Sequence, residues 1–146
     1  MKKNNTPARG LRNNNPLNII KNKTVRWLGE TNCESERTFC TFSSMTFGLR
    51  AALKLLRTYY QRHGCVTIRQ IIRRWAPETE NKTEVYIQTV SRMTGILPDT
   101  TLPPMKGETQ EVWHAIVLAM ATVECGLDQS DRNALQPYLE NAWSLL

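Results

Sequence analysis

From Ser44 onward the apolar positions of this chain recur with a helical period. Gly48, Ala51, Ala52, Leu55, Leu56 and Tyr59 share one face of a stretch that Ser43 or Ser44 can cap and Gly64 ends. Thr67 can cap the next, where Ile68, Ile71, Ile72 and Trp75 make a stripe before Pro77. A third helix is predicted over 83–94, with Tyr86, Val90 and Met93 along one side and Gly95 as its stop. A Pro-rich connection follows, too short to separate domains. Two more helices are expected over 109–125 and 130–146, the last carrying Leu135, Tyr138, Leu139 and Ala142.

Before Ser44 the pattern is different. "TVRWLGE" (24–30) and "RTFCTFSS" (37–44) are short and rich in β-branched and aromatic residues, which predicts a small hairpin. "RNNNP" (12–16) has the chemistry of a turn, since Asn tolerates left-handed backbone and Pro fixes its own φ. Residues 1–10 are polar and expected to be flexible. The pattern therefore predicts a mainly α (α+β) fold: about five helices and a small β-hairpin near the amino end, in a single domain over 1–146.

Length agrees, because 146 residues suit one domain with a core that needs no metal or disulfide. The net charge of +6 points to an anionic partner, whether nucleic acid, membrane surface or cell-wall polymer, or else to a simple solubility charge. The basic start has no apolar stretch behind it, and no run is long enough to span a membrane. The expectation is synthesis in the cytoplasm without an export signal, so that work on the cell wall needs phage- or secretion-type delivery. Four cysteines lack a C-x-x-C pair, and neither histidine joins them at zinc spacing. No metal or cofactor is expected, and the thiols read as small buried side chains, with a Cys33–Cys40 bridge as the alternative in an oxidising compartment.

One acid stands out. At 3.6 residues per turn, Trp113, Val117, Met120 and Glu124 fall on one side of their helix, and Gly126 ends it. Apolar surroundings and the negative end of the helix dipole both disfavour an ionised carboxyl there. A carboxyl that keeps its proton near neutral pH is what acid-catalysed glycosidic cleavage requires. The plain alternative is a glutamate whose head reaches water past Gly126.

"VLAMATVECG" (117–126) resembles the helix ending in Glu-Ser-Gly of bacterial lytic transglycosylases and glucosaminidases, members of the lysozyme-like superfamily. The glucosaminidase branch continues with pieces similar to "NNNPLNI" (13–19), "WLG" (27–29), "FCTFS" (39–43), "LKLLRTYY" (53–60) and "TEVYIQTV" (83–90). Here they keep their order, but the glutamate helix comes last. The resemblance implies a circularly permuted lysozyme-like domain whose termini meet near the active site, with Glu124 as catalytic acid. "RGLRNNNPLNI" (9–19) and "RWAPETENKTEVY" (74–86) also resemble the signature of a group of phage and prophage proteins, often labelled structural or virion proteins.

The superfamily resemblance implies a groove between hairpin and helices, with Tyr86 orienting the sugar or intermediate beside Glu124; a core tyrosine is the alternative. Glu36 is the best candidate for a second carboxylate, and Glu30 a weaker one. An inverting hydrolase holds its pair about 6.5–9.5 Å apart to admit water. Without such a partner, the sugar's own hydroxyl can close an anhydro product. Asn15 and Asn18 are candidates for lining the groove, and Trp27 for stacking on sugar, whereas Trp75 reads as a core anchor. Asn81 either contacts an N-acetyl group or, like Thr83, caps its helix. His63 and His114 read as structural.

The leading expectation is a phage- or prophage-derived glycosidase acting on peptidoglycan strands, with an immunity protein, virion or secretion machine as a further partner. The alternatives are a non-catalytic phage structural or glycan-binding protein and a nucleic-acid binder using Arg69, Arg73 and Arg74. Those arginines are interleaved with core positions and no base-reading set follows them, so nucleic acid is not expected.

Overall fold

The computed structural model describes residues 6–77 and 79–146. The remainder of the stretch expected to be flexible, residues 1–5, lies outside them, as does part of any meeting of the two chain ends. Helices dominate: α1 (Arg9–Arg12), α2 (Met45–His63), α3 (Ile68–Trp75), α4 (Glu80–Thr94), α5 (Gln110–Cys125) and α6 (Gln129–Ser144), with a single 3₁₀ turn ahead of α5. Among the described residues no helix is long and apolar enough to cross a membrane.

The long helices begin and end where side chains can satisfy their free backbone groups. Ser44 accepts the Phe47 N–H at the start of α2, and Thr67 accepts the Gln70 N–H at the start of α3. Asp128 and Asp131 cap α6 reciprocally. Helix α4 starts three residues before the position expected from its apolar period. Its cap is Thr79, which accepts the Lys82 N–H, so capping belongs to neither Asn81 nor Thr83. Thr83 is instead buried, its hydroxyl donating to the Ala76 carbonyl at 2.6 Å.

The expected hairpin shrinks to β1 (Glu30–Thr31) and β2 (Thr41–Phe42), an antiparallel pair with Glu30 opposite Phe42, joined by an isolated bridge from Ile20 to Phe39. The stretch 24–29 is not strand. Asn22 Oδ1 accepts both the backbone N–H and the hydroxyl of Thr24, at 2.8 and 2.7 Å, and this side-chain turn replaces ladder bonds.

Helix α5 runs through the core. Trp113, Ile116, Val117, Ala119, Met120 and Ala121 are buried along it against Tyr86, Ile87 and Val90 of α4 and Leu135, Leu139 and Ala142 of α6. Helix α2 packs along α6. The amino-terminal segment closes one end of this assembly. Helix α1, whose first two residues fall in the stretch 1–10 expected to be flexible, packs on α5 with Gly10 buried. A Cβ at Gly10 would lie 2.6 Å from Cys125 Sγ and 2.8 Å from Asn18 Oδ1. Gly48 is tighter still: a Cβ there would lie 1.7 Å from the Asn14 carbonyl oxygen, so α2 meets the asparagine turn backbone to backbone.

Candidate active site

The four asparagines between 13 and 18 are near-identical in sequence and divergent in structure. Asn13 donates its amide to Glu36 Oε1 at 2.8 Å, and Asn14 donates to the Phe42 carbonyl at 3.0 Å. Asn15 is fully buried: its amide donates to the Ile19 and Cys40 carbonyls, and its Oδ1 accepts the Ile19 N–H. With those bonds made to backbone and no exposed surface, Asn15 locks the turn and does not line a groove. Asn18 alone reaches the glutamate. Its backbone is left-handed, φ 53°, which swings the side chain toward the end of α5.

There Asn18 Nδ2 donates to Glu124 Oε1 at 3.1 Å, while the Tyr86 hydroxyl donates to Glu124 Oε2 at 3.0 Å. Glu124 is half-buried, one residue before the end of α5, and Tyr86 is buried on the facing helix α4. Burial, then the Glu124 charge and hydrogen bond, push the Tyr86 phenol well above its ordinary pKa of 10.0, so it stays a neutral donor. Burial beside Glu124 likewise pushes the neighbouring Cys125 thiol up to about 11, and its Sγ rests on the Pro16 carbonyl at 3.3 Å. Asn18 Oδ1 is buried and accepts no hydrogen bond among the described residues. A buried polar atom left this way carries a desolvation cost, and such atoms concentrate at functional sites.

Glu124 and Asn18, hydrogen-bonded to each other, line one cavity each. One, of about 260 Å³, is bounded by Ala76, Lys82, Thr83, Tyr86 and Glu124. The other, of about 240 Å³, is bounded by Asn18, Ile20, Val25, Trp27, Tyr59 and Trp75. Trp27, the candidate for stacking on sugar, lines this cavity. Trp75, expected in the core, lines the same cavity half-buried, its ring 5.9 Å from Tyr59 and edge-on. Tyr59 and Trp75 close the stripes read from sequence, and nothing in their spacing separates a cavity wall from a core. Asn81 is exposed and borders neither cavity; Lys82 stands there instead.

Glu36 belongs to a different structure. Arg9 grips it with Nε on Oε1 at 2.6 Å and Nη2 on Oε2 at 2.7 Å, Asn13 adds a third bond, and the Thr38 and Phe39 N–H groups donate to Oε2 at 3.1 Å. The Arg9 guanidinium first, then the other donors, overcome burial and hold this carboxyl far below its usual range. A carboxylate this well satisfied is a poor base, since base strength follows pKa. The reason is a partner 27 residues away that no local pattern signals. Glu30, the weaker candidate, accepts the Trp27 N–H at 3.0 Å.

The remaining candidates have plain roles. Arg69 pairs with Glu84 and Asp99 at 3.0 and 2.8 Å, and Arg73 lies 3.8 Å from Glu80, which neutralises much of the "RQIIRRW" cluster. His114 is buried edge-on to Trp143. All four cysteines are free, with Cys40 and Cys65 buried and Cys33 and Cys125 half-buried. Among the described residues no group of three or more His, Cys, Asp or Glu side chains could hold a metal ion.

No family model matches the chain. It is similar to Protein P5 of Pseudoalteromonas phage PM2, with 42% identity over 124 residues that span 84% of this chain and 74% of that protein.

Proposed function

The chain belongs to the family of Protein P5 of Pseudoalteromonas phage PM2, and on that premise we propose that it is a phage-derived glycosidase cleaving the β-1,4 glycan of peptidoglycan, with Glu124 as general acid. Kinship with a phage protein supports the origin and is silent on the chemistry. The observation that carries the chemistry is the clamped carboxyl of Glu124, held in one cavity wall by Tyr86 and by Asn18, which lines a second cavity.

A glycan strand laid through both cavities brings a glycosidic oxygen to Glu124. The protonated carboxyl gives its proton to that oxygen as the C1–O bond breaks. Tyr86 and Asn18 then hydrogen-bond the carboxylate that forms, favouring the charged state at the moment it appears. Neither flanking cavity has a second carboxylate in its wall, and Glu36 is engaged elsewhere. The reading therefore takes the route in which a hydroxyl of the same sugar attacks C1 and returns its proton to Glu124, closing an anhydro product. The resembling motifs, the order in which they occur and the acid at a helix end support a circularly permuted lysozyme-like fold as the scaffold. Delivery to the cell wall by a virion or secretion machine belongs to the same proposal.

Incubating the protein with purified peptidoglycan and analysing the soluble fragments tests this. Anhydro-muropeptides are expected from the wild type and none from Glu124→Gln at unchanged melting temperature. Equal release by that variant ends the proposal, and no release by either favours a glycan-binding structural protein.

A further inference from the structure

The aromatic cavity that Trp27 lines has a neighbour. Asn22 and Val25 line it and also line a second, larger cavity of about 450 Å³, so the two are neighbours that share a wall. Four cations stand in the wall of this basin, Lys21, Lys23, Arg26 and Arg37, against one acid, Glu30. Glu30 accepts the Trp27 backbone N–H, and among the described residues none of the four cations makes an ion pair with a carboxylate.

The contrast with the other arginines is informative. Arg9 and Arg69 make ion pairs of 3.0 Å or less, and Arg73 a looser one at 3.8 Å. Lys23, Arg26 and Arg37 make none among the described residues, though they crowd one basin. Gathering like charges costs free energy that an incoming anion recovers. The wall is also fixed. Lys21 donates its ammonium to the Glu36 carbonyl, its own N–H donates to the Thr38 carbonyl at 2.9 Å, and Asn22 pins the turn at Thr24. The Glu36 whose carbonyl Lys21 meets is itself held by Arg9.

We propose that this basin is a subsite for oxyanion-bearing substituents of the glycan strand, holding a carboxylate or phosphate while the neutral sugars occupy the aromatic cavity. The inference rests on the glycan reading of the cleft and gives it a specificity: substituted strands are gripped in preference to bare ones. The net charge of +6 is then partly a recognition device.

Calorimetric titration of full-length Glu124→Gln, in which nothing is consumed, separates the possibilities. The probes are neutral chitotetraose, a glycan fragment bearing stem peptides with free carboxylates, and poly(glycerol phosphate). The peptide-bearing fragment is expected to bind about tenfold more tightly than chitotetraose, an advantage lost in Arg26→Gln/Arg37→Gln and in high salt. Chitotetraose affinity is expected to stay within about twofold, as for a neutral ligand indifferent to screening. Loss confined to poly(glycerol phosphate) assigns phosphate as the anion in place of carboxylate. Unchanged affinity for both anionic probes, or an equal loss for chitotetraose, overturns the basin. Failure of the wild type to cleave peptidoglycan, alongside arginine-dependent binding, sinks the glycosidase reading and leaves the subsite standing.

Discussion

Two glutamates, 36 and 124, sit in surroundings that differ in one respect above all. Around Glu36 every donor belongs to the fold: an arginine, an asparagine and two backbone N–H groups close on a carboxylate that is 6% exposed. Glu124 accepts from the side chains of Asn18 and Tyr86, one on each oxygen, and stands in the wall of an open cavity. The first arrangement spends a charge on joining α1 to the hairpin. The second positions a carboxyl and leaves it approachable. Access, more than burial, separates a structural acid from a candidate catalytic one.

Exchanging each acid for its amide is the sharpest way to break this contrast. Glu124→Gln is expected to lower muropeptide release about a thousandfold, the scale of a lost general acid, with the melting temperature almost unmoved. Tyr86→Phe removes one donor from Glu124 and is expected to reduce release about tenfold, again at small cost in stability. Glu36→Gln should do the reverse. Losing its charged hydrogen bonds costs about 2 kcal/mol, discounted because Arg9 is half-exposed, or about 6 °C in melting temperature, while release per folded molecule stays within about twofold. A variant at Glu36 that melts normally and fails to cleave would reverse the two assignments.

The smallest expected effect is in pH dependence, and it has a sign. Burial lowers the His114 pKa from its ordinary 6.5, and Arg9 lowers that of Glu36 from 4.5. In both cases the unfolded chain binds the proton more tightly, so stability present at neutral pH is lost on acidification. His114 acts from its ordinary value of 6.5 downward and Glu36 only from 4.5 downward. Melting curves should therefore show two successive declines. His114→Phe is expected to flatten the first and Glu36→Gln the second, and a single decline untouched by either would contradict both pairings.

Most of the helical frame was legible because the signals are local. A stripe such as Ile68, Ile71 and Ile72, with Thr67 before it, determines α3 within eight residues. Glu124 was legible for the same reason, as an acid on an apolar face near a glycine stop. What escaped depends on contacts distant in sequence. Asn15 and Asn18 look alike until one is found buried against Cys40 and the other 3.1 Å from a carboxyl 106 residues away. Glu36 resembled a groove-facing acid until Arg9 is seen to hold it. The hairpin was overestimated because Asn22 turns a β-branched stretch that pattern alone reads as strand. Trp75, given to the core, lines a cavity, and its stripe does not distinguish the two.

Gly48 carries a lesson for anyone engineering this protein. Replacing helical glycine with alanine is a common route to a hardier variant, worth about 1 kcal/mol at a solvent-facing site. Here the added methyl would arrive 1.7 Å from a main-chain oxygen that cannot step aside. The usual recipe would pry the asparagine turn off α2, and because Asn18 follows on that turn, a change made for robustness would first blunt the grip on Glu124.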